Sequence, residues 1–179
     1  MGGEEGFVEM LDSVFVVPPI YDDSYYGYRI HEITEMQVAD MGNYAHGNQP
    51  AQHMIYLYDW TEQPWKTQKR IRQMLKTWFR NDLMGIPGDE DGGGMTSFVV
   101  FSSLGFYPVT PGSPSYNIGS PLFTNAKITL SNGKIFEIEA INASEENKYI
   151  QSATLNGQEW AMRVEARSQT DLSNEEKPQ

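Results

Sequence analysis

Three acids stand side by side in the stretch GIPGDEDGGGMTSF, residues 85–98: Asp89, Glu90 and Asp91, between Pro87 and the glycines 92–94. Neighbouring carboxylates repel one another, and neither proline nor a glycine run favours the helix that would spread them apart. A solvated acidic turn is one reading. A calcium loop of the EF-hand kind is another, but its alternating oxygen ligands and terminal Glu are absent. The chemical reading is general-base catalysis. An apolar helix follows the acids, and the free N–H groups and dipole at its start favour ionised carboxylates. The glycines would let a ligand approach the backbone.

A second polar group lies in YAHGNQPAQH, residues 44–53, where His46, Asn48, Gln49 and His53 lead into an apolar run. Helix capping with one satisfied core histidine explains such a group without any ligand. Two histidines with no third nearby argue against zinc, whereas amide oxygens with carboxylates suit calcium. Tyr56, Tyr58, Trp60, Trp65, Trp78, Phe79 and Phe98 crowd near both loops. Most must be core. Aromatic faces beside carboxylates and amides also make a sugar site, and the combination leans that way.

The elements that hold these loops follow from periodicity. EEGFVEMLDSVF places Phe7, Met10, Leu11, Val14 and Phe15 at helical spacing. PPIYDDSYYGY then reads as a loop, and QPAQHMIYLYDW as a short buried helix with Pro50 in its first turn. TQKRIRQMLKTWFRNDL is the clearest amphipathic helix, with Ile71, Met74, Leu75, Trp78 and Phe79 on one side. MTSFVVFSSLGF is apolar almost all round, which predicts burial on every side and a C-cap at Gly105. After it the period changes from 3.6 to 2, and Asn132-Gly133 and Asn156-Gly157 mark two hairpins. Helices followed by antiparallel strands indicate an α+β chain. The expected division is a helical region with the acidic loop over 1–110, hairpins over 111–165, and a frayed polar tail over 166–179. The apolar helix faces outnumber the helices available to cover them, so homo-oligomers or further protein are expected.

Bulk composition narrows the partners. The chain has 179 residues, a net charge of −11 and no cysteine. That balance argues against nucleic acid, and the missing thiols rule out disulfides, thiolate metal sites and cysteine nucleophiles. No apolar run reaches membrane-spanning length, and MGGEEGFVEM lacks the pattern of a signal peptide.

YAHGNQPAQHMIYLYDWTEQPWKTQKRIR, GIPGDEDGGGMTSFVVFSSLGFYPVTPGSPSYNIGSPLF and NKYIQSATLNG together closely resemble the C-terminal part of the bacterial exo-α-mannosidases of glycoside hydrolase family ninety-two. The resemblance runs from Met1 to about Trp160. It implies a calcium-dependent inverting enzyme that removes terminal mannose from α-linked mannans and N-glycans, and that works in the periplasm or outside the cell. The implied fold is the last helices of an (α/α)6 barrel followed by strands that return to a sandwich. Asp91 and, second to it, Asp89 match the general base. His46, Gln49, His53 and Glu90 match substrate-binding positions, and Asn48, Gln49 and Asp91 match the calcium site. Gln49 stands where Glu is usual, Phe98 where Trp is usual and Gly94 where Gln is usual. The family's general acid belongs to a motif that precedes this stretch, so the resemblance implies a fragment that is inactive alone and whose partner is the N-terminal portion of the enzyme. A non-catalytic carbohydrate-binding or interaction module that keeps the scaffold is the competing reading.

Overall fold

The computed structural model describes residues 2–19, 21–160 and the backbone strand 165–167. Helix α1, Gly3–Val16, buries Val8, Leu11 and Phe15. The stripe is therefore rotated from the expected one. Val8 replaces Met10, which is about half exposed, while Phe7 and Val14 pack at the margin. The expected loop after it holds over the described residues 18–19 and 21–28, and a second helix that periodicity did not reveal, α2, His31–Ala39, follows. Its composition is mostly polar and only Ile33 is buried, so it carries no clear stripe to read.

The apolar run Gln49–Trp60 forms a 3-10 helix of twelve residues. Gln52, Ile55 and Tyr58 lie three apart, as do Tyr56 and Asp59, and all five are buried. That spacing matches three residues per turn, and Pro50 at the start gives up no needed N–H. Helix α3, Trp65–Trp78, buries Ile71, Met74, Leu75 and Trp78 as the sequence predicts. It ends at Trp78, before the expected RNDL, because Phe79 is extended. The Phe79 ring still packs against the core.

Helix α4, Gly94–Leu104, departs from expectation. Met95, Phe98, Ser102 and Ser103 are buried, but Val100 is about half exposed. A helix apolar all round needs neighbours on every side, and among the described residues the Thr96, Ser97 and Val100 face of α4 is left open. Its end is as read. Gly105 adopts φ 98°, its N–H reaches the Phe101 and Ser102 carbonyls, and a Cβ there would meet the Pro121 ring at 2.9 Å.

One core joins these helices. Leu11 and Phe15 of α1 meet Tyr44, Ile55, Tyr56, Tyr58, Ile71, Trp78 and Phe98 within it. The strands are all antiparallel. β1 (Phe106–Tyr107), β2 (Ser115–Ile118) and β7 (Glu165–Arg167) make one sheet with β2 in the middle. β3 (Asn125–Thr129) pairs with β4 (Ile135–Glu139) around Asn132-Gly133. β5 (Ala153–Leu155) pairs with β6 (Gln158–Trp160) around the two-residue turn Asn156-Gly157, both at positive φ, as a type I′ turn requires. Strand β7 crosses the expected start of the polar tail at 166, and the remainder of that tail lies outside the described residues.

Candidate active site

The acidic loop is built by its own middle residue. Glu90 turns its carboxylate onto the start of α4: Oε1 accepts from the Thr96 N–H at 3.1 Å and from its hydroxyl at 2.6 Å, and Oε2 accepts from the Gly93 N–H. These bonds, led by the Thr96 hydroxyl, hold the Glu90 carboxyl below its ordinary range. A helix start leaves its first N–H groups without partners, and Glu90 takes two of them. A substrate-binding Glu90 would have to give up that cap.

Asp89 and Asp91 flank the cap and do something different. Both are exposed, and among the described residues neither carboxylate has a hydrogen-bond or ion-pair partner. What holds them is backbone. The Asp89 carbonyl accepts from Gln49 Nε2 at 2.8 Å, and the Asp91 carbonyl accepts from the Gly94 N–H at 3.3 Å. Asp91 sits in the left-handed region at φ 51°, where aspartate and asparagine are tolerated and most residues are strained. Two unengaged carboxylates on a fixed backbone can take a proton from water or ligate a cation.

The amide loop divides in the same way. Asn48 is exposed and Gln49 half-buried beside the acids. His53 is exposed, and its Nδ1 donates to the Pro50 carbonyl at 2.8 Å. His46 is elsewhere. It is fully enclosed, shares a 2.7 Å hydrogen bond with the Tyr44 hydroxyl, and lies edge-on to Phe98 at 4.6 Å and Phe79 at 5.3 Å. Burial pushes its imidazole down to about 3. The residue expected to bind substrate is thus set in the aromatic core behind the loop, neutral, with no exposed surface to offer a ligand.

Two other groups escaped the sequence reading. Glu35 on α2 reaches the acidic loop, accepting from the Gly88 N–H at 2.7 Å. Asp59 of the 3-10 helix is buried and accepts from Asn117 of β2 at 2.9 Å; burial raises its carboxyl to about 7, and that donation only partly offsets it. A lone acid inside an apolar run was the available signal for Asp59. For Glu35 there was none, since a Glu on a polar helix is ordinary.

Asn48, Gln49, Asp89 and Asp91 carry hard oxygen donors of the kind calcium takes, on two loops joined by the Gln49–Asp89 hydrogen bond. Among the described residues no group of three or more acidic or histidine side chains could hold a metal. The fit to calcium is thus one of donor type alone, with these residues furnishing at most part of a shell of about six to eight oxygens.

Comparison with known proteins bears on the site as a whole. The profile of the glycosyl hydrolase family 92 catalytic domain matches residues 1–175. A family GH92 inverting mannosidase from Bacteroides thetaiotaomicron VPI-5482 is 48% identical, with a TM-score of 0.73, over 92% of this chain and 22% of its own. A GH92 α-mannosidase from Bacteroides thetaiotaomicron, solved in complex with mannoimidazole, is 34% identical with a TM-score of 0.79. That match covers 90% of this chain and 20% of the mannosidase. An uncharacterized secreted glycosidase of Arthroderma benhamiae is 36% identical over 117 residues, 64% of this chain and 15% of that protein. The chain thus spans about a fifth of the length of the solved mannosidases it matches.

Proposed function

This chain belongs to glycosyl hydrolase family 92, and on that premise we propose that it supplies the water-activating half of an inverting exo-α-mannosidase centre. The observation that carries the proposal is the division of labour in the acidic loop. Glu90 is consumed as a helix cap, while Asp89 and Asp91 on either side stay exposed and unengaged. Inversion needs one carboxylate to take a proton from the attacking water and one carboxylic acid, on the other side of the bond, to protonate the departing oxygen. Asp91 is the first choice for the base and Asp89 the second. The acid belongs, by the family resemblance, to a motif that precedes Met1, so the 179 residues alone would release no mannose. The substrate is a terminal α-linked mannose of a mannan or N-glycan, met outside the cytoplasm; the likeness to a secreted glycosidase supports that location. No helix among the described residues is long and apolar enough to cross a membrane.

Calcium, where bound, would polarise sugar hydroxyls and the nucleophilic water. Asn48, Gln49 and Asp91 would contribute oxygens to it, with His53 directed at the sugar. The chain's own part is to hold these groups still. Gln49 fixes the acidic loop through the Asp89 carbonyl, and Glu90 fixes it to α4.

The test is Asp91→Asn and Asp89→Asn in a complete family 92 enzyme carrying this segment. Asparagine tolerates the left-handed backbone at 91, so the fold should be kept. Loss of a general base lowers kcat by about 10²–10⁴ with an unchanged melting temperature. If both variants turn over an aryl α-mannoside within a few-fold of the parent, the loop is not catalytic.

A further inference from the structure

Helix α2 carries none of the proposed chemistry, yet one of its side chains touches both loops that do. Glu35 Oε1 accepts from the Gly88 N–H, the amide immediately before Asp89. Glu35 Oε2 is buried with no hydrogen-bond partner among the described residues. It lies against Gly47, one residue before Asn48, so closely that a Cβ on Gly47 would stand 2.1 Å from it. The two glycines also meet each other. A Cβ on Gly88 would come within 2.3 Å of the Gly47 carbonyl oxygen. His31, one turn earlier on α2, stands 3.2 Å from Glu35 Oε1 and steadies it. Three separate segments therefore converge where only hydrogen fits.

A buried carboxylate oxygen without a donor is costly and calls for a reason. Here the carboxylate is placed by the two loops and not by the satisfaction of its own oxygens. We infer that Glu35 is a positioning residue: it clasps the Gly88 amide while bearing on Gly47, and so keeps Asp89–Asp91 in register with Asn48–Gln49. The inference rests on the catalytic reading of the acidic loop. Misplacement of a reacting group by about 1 Å can cost about 10² in rate, so the clasp matters to turnover as well as to folding.

The experiment uses a complete family 92 enzyme carrying this segment, with Glu35→Ala, Glu35→Gln, Asp91→Asn and Asp89→Asn. Glu35→Gln keeps the volume and an oxygen for the Gly88 N–H; Glu35→Ala removes both. The expected result has three parts. Hydrogen exchange at the Gly88 amide speeds up about tenfold or more in Glu35→Ala and stays near parental in Glu35→Gln. Per folded molecule, kcat on an aryl α-mannoside falls about tenfold or more in the alanine variant. The glutamine variant stays within about threefold of the parent. Parental exchange at Gly88 in Glu35→Ala overturns the clasp. So does parental kcat in Glu35→Ala when an aspartate variant is inactive, or equal damage from alanine and glutamine. If both aspartate variants remain active, the catalytic reading falls first and takes this inference with it.

Discussion

Gln49 Nε2 donates to the Asp89 carbonyl at 2.8 Å, joining two loops forty residues apart. A glutamate at 49 could not make that bond, because an ionised carboxylate has no proton to give. Where the family resemblance leads one to expect Glu, Gln49 would thus exchange a charge that could hold a metal for a donor that holds the acidic loop.

Gln49→Glu should reverse the exchange. Without calcium the variant loses about 1 kcal/mol for the missing hydrogen bond and places a fourth carboxylate beside three. With calcium it should recover, since binding to the folded state alone raises stability with ligand concentration. Thermal melts in chelator and in millimolar calcium check this. A variant whose melting temperature is the same as the parent's in both conditions counts against the loop assignment.

Glu90 should matter to the start of α4. Glu90→Ala is expected to lower the melting temperature and to speed amide exchange at Gly93 and Thr96, the two N–H groups it now binds. Its carboxyl is held low in the fold, so the stability it contributes is present above its ordinary value of 4.5 and lost as the pH falls through the folded value. Unchanged exchange at both amides would show that the cap is idle.

Two buried groups should oppose each other in acid. His46 is neutral in the fold down to about 3 but takes up a proton below about 6.5 when unfolded. It therefore subtracts stability as the pH falls from 6.5 toward 3. Asp59 keeps its proton in the fold up to about 7 but loses it above 3.8 when unfolded. Its contribution is full below 3.8 and is lost as the pH rises to 7. Each slope is at most about 1.4 kcal/mol per pH unit, and between 3.8 and 6.5 they cancel. Asp59→Asn keeps an acceptor for Asn117 and removes one slope. Denaturant titrations at pH 4.5, 5.5 and 6.5 should find the variant more acid-labile than the parent, and parallel curves would refute the opposition.

The 179 residues expressed alone should self-associate. Val16, Val17, Val38, Met84 and Val100 are exposed apolar side chains, and apolar surface gathered into a patch is what association would cover. Light scattering at millimolar to micromolar concentrations gives the answer, and a monodisperse monomer throughout would count against it.

The sequence determined the elements whose signal is local. α3 was legible because Ile71, Met74, Leu75 and Trp78 fall on one helical face, and the hairpins because Asn132-Gly133 and Asn156-Gly157 admit few other turns. The long motifs settled the family without any coordinates. What lay beyond reach was decided by contacts between distant segments. Three acids in a row look alike in sequence; only the fold of α4 back onto Glu90, six residues before Thr96, makes that one a cap and leaves Asp89 and Asp91 open. For His46 the sequence left a core histidine and a ligand-binding one both open, and Phe79 and Phe98 closing around it bury the ring and disfavour its charge. Glu35 has no signature at all, because its significance is the meeting of Gly47 and Gly88, which no stretch of sequence contains. Periodicity and turn chemistry are properties of neighbours along the chain, whereas burial and hydrogen-bond partnership belong to neighbours in space.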